Sequence, residues 1–177
     1  MKKTIILFTI IPAIILLAGC AEVDLSNQTE NSQTSQTSSP SSSSKTASFK
    51  GETGLFAPSD NNGVTIEASS VDDGKAHFFN TALPNGDPVY FFIVKSPDGK
   101  LRAAANGCQV CGGALQGFRQ EEDYMVCNTC GNRYPLNKIA TEKGGCNPAP
   151  INPDLKVENG MINISISELQ DIRQFFL

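Results

Sequence analysis

Residues 106–148 read NGCQVCGGALQGFRQEEDYMVCNTCGNRYPLNKIATEKGGCNP and hold five of the six cysteines of the chain. Cys108 and Cys111 form one CxxC, Cys127 and Cys130 a second, with fifteen residues between them. That spacing is at the lower edge of what a four-thiolate metal site uses. Two residues between cysteines let one tight turn aim both sulfurs at a single ion, while backbone N–H groups in the turn spread the thiolate charge. A glycine follows each pair, Gly112 behind Cys111 and Gly131 behind Cys130, and is expected to supply the positive φ such a knuckle needs. A disulfide within either CxxC is the rival chemistry. The redox use of that spacing belongs to a helix start near a βαβ pattern, which this sequence lacks.

Cys146, in Gly144-Gly145-Cys146-Asn147-Pro148, makes the thiol count of the region odd. Four sulfurs complete a tetrahedral zinc, a rubredoxin-like iron or a cysteine-ligated cluster, so the fifth is a spare, a labile ligand or a small buried hydrophobe. The paired glycines ahead of it suggest a backbone passing close to its neighbour. Arg102, Arg119, Arg133 and Lys138 surround the cysteines in sequence and are expected to offset their charge. Glu121-Glu122-Asp123 reads as a solvated turn, since consecutive acids without a glycine-centred loop are weak calcium ligands. His77, the single histidine, sits in an aromatic strand far from the cysteines and reads as a packing or surface residue before it reads as a ligand.

The run CQVCGGALQGFRQEEDYMVCNTCGNRYPLNKI followed by GGCNPAPI resembles the FtrD-like iron-sulfur domain family. The resemblance covers roughly residues 64–177, with its specific part between Asn106 and Ile151. It implies a membrane-associated or secreted iron-sulfur protein, with a redox partner or an iron-transport permease as its neighbour. It also implies a site at Cys108, Cys111, Cys127 and Cys130, with Cys146 close by. The family often carries an aspartate just ahead of the first CxxC, where this chain has Asn106. With Gly112, Gly131 and Arg133, Asn106 is expected in the shell around the ligands. A fainter likeness is to the second Rieske loop, with Cys130 in place of its histidine. The first knuckle departs from that pattern, and all-cysteine ligation would give a lower potential than a Rieske centre.

Ahead of this region the chain divides into three parts. Residues 1–19, MKKTIILFTIIPAIILLAG, carry two lysines and an apolar run from Ile5 to Ala18, shorter than the ~20 residues a spanning helix needs. This is an export signal. Leu17-Ala18-Gly19-Cys20 resembles a bacterial lipoprotein cleavage box, which makes Cys20 a lipidation site and anchors the mature chain to the outer side of the cell membrane. Residues 20–63 form the lipidated end and a Ser/Thr/Gln-rich tether, too polar to offset the entropy of ordering. Residues 64–177 are the cysteine-rich domain.

Within that domain the sequence predicts a mainly β fold: a small antiparallel sheet, two rubredoxin- or zinc-ribbon-like knuckles and a short C-terminal helix. Val64–Glu67 and Lys75–Asn80 read as strands around an Asp-Asp-Gly turn. Pro84-Asn85-Gly86-Asp87 turns the chain into Val89–Val94, whose unbroken apolar character predicts a strand covered on both faces. Pro97-Asp98-Gly99 returns it toward Cys108. Later, Leu155–Glu158 and Met161–Ile166 read as a hairpin, and a helix is expected from Ser167 with Gln170 completing its capping box.

The formal charge of −4 becomes −6 once Lys2 and Lys3 leave with the signal, which disfavours nucleic acid as a partner. No phosphate loop or nucleophile elbow is present. Three functions remain: an extracytoplasmic iron-sulfur or iron-thiolate electron carrier linked to iron uptake, a structural Cys₄ zinc ribbon, or a copper or thiol–disulfide CxxC protein.

Overall fold

The computed structural model describes residues 48–177. The predicted export signal, Cys20 and most of the polar tether lie outside the described residues. No helix among the described residues is long and apolar enough to cross a membrane.

The fold is mainly β, as the sequence predicts. Strands β1 (Leu55–Phe56), β2 (Gly63–Glu67), β3 (His77–Ala82), β4 (Pro88–Lys95) and β5 (Leu101–Cys108) come first. They are followed by β6 (Phe118–Glu121), β7 (Tyr124–Cys127), β8 (Arg133–Pro135), β9 (Pro148–Asn152), β10 (Val157–Glu158) and β11 (Met161–Ser165), and then by helix α1 (Ile166–Ile172). A central sheet has the order β1-β3-β4-β5-β9; two three-stranded sheets have the orders β10-β11-β2 and β6-β7-β8. All pairings are antiparallel except that of β1 with β3.

Strand β4 organises the packing. Phe91, Phe92, Ile93 and Val94 are fully buried, each worth about 1.5–3 kcal/mol of removal from water. Because successive side chains leave a strand on opposite faces, these four serve two cores. Phe91 and Ile93 join Val64, Ile66, Ile162, Ile164, Leu169 and Ile172 in the first, beneath the β10-β11-β2 sheet and α1. Phe92 and Val94 join Phe118, Met125, Leu136, Ile139, Cys108 and Cys127 in the second, against the β6-β7-β8 sheet. Cys108 and Cys127 are thus built into a hydrophobic core, with Cys111 and Cys146 packed against it.

The hairpins at residues 84–87, 97–99 and 159–160 form where the turn residues predict them. Three features differ from the sequence reading. Strand β2 does not pair with β3 across Asp72-Asp73-Gly74. A 3₁₀ turn at Ala68–Val71 carries the chain away, and β2 pairs instead with β11. Second, packing begins ahead of Val64: Phe49 stacks on Tyr90 at 4.0 Å, and β1 adds a parallel edge to β3. Third, the helix begins two residues earlier than expected. Ser165, not Ser167, is its N-cap, its hydroxyl accepting from the Glu168 N–H at 3.3 Å while the Glu168 carboxylate accepts from the Ser165 N–H at 2.7 Å. Strand β11 ends at Ser165 opposite Gly63, so the cap sits where the ladder stops and Glu168, not Gln170, occupies the third helical position.

Candidate metal centre

Three loops converge at one end of the second core. Cys108 closes β5, 3% exposed, and faces Pro148 at the start of β9. Cys146 stands just ahead of Pro148, so the ladder between β5 and β9 brings it beside the first knuckle. Cys127 closes β7, 1% exposed, and Cys130 follows on the exposed tip of the second knuckle. Phe118, opposite Cys127 in the β6–β7 ladder, packs behind that knuckle.

The sulfurs of Cys108, Cys111 and Cys146 all lie within 4.8 Å of one another, as do those of Cys111, Cys127 and Cys130. Cys111 Sγ and Cys127 Sγ are 3.4 Å apart, and the Cys111 N–H points at Cys108 Sγ at 3.4 Å. Tetrahedral thiolates on an ion at about 2.3 Å are separated by about 3.8 Å, so this spacing is close to that of a coordination sphere. Burial, together with the facing Cys108 and Cys127 thiols, pushes the Cys111 thiol far above its ordinary range. The facing Cys130 thiol, then burial, raises Cys146. Gathering the sulfurs as anions therefore needs a cation among them, and the donor set fits a thiophilic metal.

A family profile described as "Membrane iron-sulfur containing protein FtrD-like" matches residues 71–176, more than half of the chain. The chain belongs to the FtrD-like family. The family is described as iron-sulfur containing, and the structure gathers five cysteines within the matched residues, which together support a metal-binding, iron-related role. No curated protein and no solved structure matches the chain.

The two knuckles of this FtrD-like chain are built differently. Gly131 has φ 73° and its N–H reaches the Cys127 carbonyl at 2.9 Å, the left-handed position a knuckle requires. Gly112 does not take that role. The chain leaves Cys111 in a 3₁₀ turn over Gly112–Ala114, whose dihedrals need no glycine, and the left-handed residue is Leu115 at φ 55°. At Gly144 and Gly145 the requirement is again positive φ, 85° and 75°; a Cβ on either would meet open space, so no close approach explains them.

Side-chain amides brace the three loops, and sequence reasoning missed most of them. Gln109, inside the first CxxC, donates to Asn147 Oδ1 at 2.7 Å and accepts from the Gly144 N–H at 2.9 Å, flanking Cys146 on both sides. Asn132 donates to the Cys146 carbonyl at 2.9 Å, and Asn128 to that of Gln116 at 2.8 Å. The signal was the density of Asn and Gln between and beside the cysteines. Asn106 is fully buried; its Oδ1 accepts from the Phe118 N–H at 2.7 Å and its Nδ2 donates to the Glu52 carbonyl at 2.8 Å, tying β5 to β6 and to the N-terminal segment.

The basic residues near the site are already matched. Arg102 is buried and bonds Ser96, the Ile139 carbonyl and Asp98. Arg119 and Arg133 both hold Glu121, whose carboxyl is lowered chiefly by Arg119, and Arg133 lies over the Tyr124 ring at 4.7 Å. Lys138 faces Glu142. These cations therefore offset less of the sulfur charge than their places in the sequence suggest. Glu121 faces arginines, and Glu122-Asp123 form the β6–β7 turn. His77 pairs with Asp73 at 2.8 Å and belongs to neither sulfur group.

Proposed function

We propose that this FtrD-like chain is a lipid-anchored, extracytoplasmic iron-sulfur or iron-thiolate protein that passes electrons in support of iron uptake. The observation that carries it is the convergence of five thiols from three loops in a chain of this family. Cys108, Cys111, Cys127 and Cys130, with Cys146, would hold the group, and iron held this way supplies a one-electron couple at low potential.

The surrounding residues suit that task. Phe92, Phe118, Met125, Leu136 and Ile139 exclude water from the buried side, and the Gln109, Asn128 and Asn132 amides fix the loops, which limits reorganisation between charge states. Cys130 opens to solvent, giving a partner an approach to one edge. A redox partner or an iron-transport permease would dock there, with Cys20 acylation holding the domain at the membrane.

Purified anaerobically without chelators, the protein is expected to be brown and to contain iron and acid-labile sulfide. One 3.4 Å sulfur pair also suits a single tetrahedral ion, which favours a structural zinc site as the second reading. A colourless protein with one zinc per chain and no redox activity would establish that alternative and end the first.

A further inference from the structure

The two sulfur groups have one atom in common. Cys108 and Cys146 complete one group around Cys111 Sγ; Cys127 and Cys130 complete the other around the same atom. The grouping crosses the knuckles, because the second contains all of one CxxC and half of the other. A single tetrahedral ion takes four donors, so an ion held by both CxxC pairs would leave the Cys146 sulfur against three of its own ligands, Cys108, Cys111 and the facing Cys130.

Charge sharpens the difficulty. Four thiolates on one divalent ion leave a net −2, with Cys146 outside it as a neutral thiol, whereas five thiolates on two such ions leave −1. Arg102, Arg119, Arg133 and Lys138 are each committed to a carboxylate, which leaves Lys143 as the cation beside the Cys146 loop with no carboxylate partner among the described residues. A second metal cation would offset part of this charge where side chains do not. A thiolate sulfur has lone pairs enough to donate to two metals, and the common donor is also the one wedged between the others.

We propose that the centre is binuclear, with the Cys111 thiolate bridging two metal positions. One position takes Cys108, Cys111 and Cys146, the other Cys111, Cys127 and Cys130, and each leaves room for a further ligand that is not protein. Cys146 is then a primary ligand. This deepens the metal-centre reading and rests on it, whatever the native metal.

The test uses the full chain, reduced, stripped of metal and loaded anaerobically with ¹¹³Cd²⁺, a thiophilic probe whose nuclear spin reports a shared sulfur through scalar coupling. The wild type should bind two cadmium ions per chain and give two mutually coupled resonances. Cys146→Ser should drop the stoichiometry from two to one and abolish the coupling while the other resonance survives; Cys111→Ser should disturb both. One cadmium per chain, or two uncoupled resonances, overturns the bridge while leaving the metal centre standing. No cadmium bound by a folded protein would remove both, and iron and sulfide analysis of the native protein tests the centre independently. Should Cys146→Ser fail to fold, the wild-type coupling decides alone.

Discussion

Replacing Asn106 with alanine removes two hydrogen bonds, one to the Phe118 N–H and one to the Glu52 carbonyl. The Phe118 N–H loses its acceptor in a fully buried setting and should cost about 1–3 kcal/mol. The Glu52 carbonyl, nearer the surface, can recruit water, so its loss is closer to about 0.5–1.5 kcal/mol. The expected total is about 1.5–4.5 kcal/mol, read from urea midpoints of the full chain at constant m. Asn106→Asp separates the two bonds. At neutral pH the introduced carboxylate still accepts from Phe118 but opposes the Glu52 carbonyl, and it is buried. On acidification it regains a proton to donate, so relative to wild type this variant should recover stability as pH falls from 7 toward 5. Asn106→Ala should not. A loss under about 0.5 kcal/mol for Asn106→Ala, or parallel pH profiles for the two variants, would refute the view that this amide clasps β5 to β6.

Phe92→Ala should cost about 3–5 kcal/mol by the same measurement, since the ring is fully buried in the core that holds the cysteines. Removing metal should raise hydrogen exchange in β6–β8 far more than in β3–β5, because the former sheet is tied to the second core alone; uniform loosening would contradict this. The Asp98 carboxyl, bonded first by the Ser96 hydroxyl and also by Arg102, sits at about 2, below its ordinary value near 3.9. Its contribution is therefore present above about pH 4 and lost as pH falls toward 2, so Asp98→Asn should flatten the acid limb of a stability–pH curve. Gly131→Ala should cost only the left-handed strain, about 1 kcal/mol, because its Cβ meets nothing. Gly117→Ala should cost more, since its Cβ would stand 2.6 Å from Asn106 Oδ1; equal losses would argue against that contact.

The local grammar of this chain was legible. Turn residues at 84–87, 97–99 and 159–160 marked the hairpins, the apolar run of β4 announced a strand covered twice, and doubled CxxC spacing marked the knuckles. What stayed hidden was non-local. Nothing in Val64–Glu67 says that its partner is Met161–Ser165, because an alternating strand satisfies any ladder that buries the same face. Strand β1 is two residues long and carries no period at all. At the site, Gly112 misled because a glycine after a cysteine pair has more than one use, whereas the odd thiol count singled out Cys146, whose sulfur stands within 4.8 Å of those of Cys108 and Cys111. The Gln109 brace could be read only as polarity until the loops it joins were seen side by side.

Strand β4 has a consequence for how this molecule can vary. From Phe91 to Val94 its odd positions belong to one interior and its even positions to the other, so a slip of one residue would exchange the two sets. Neither interior can shift its frame without dragging its counterpart. The sulfur-bearing half is thereby indexed to the half that carries the helix, and insertions are tolerable in the loops beyond the strand but not within it.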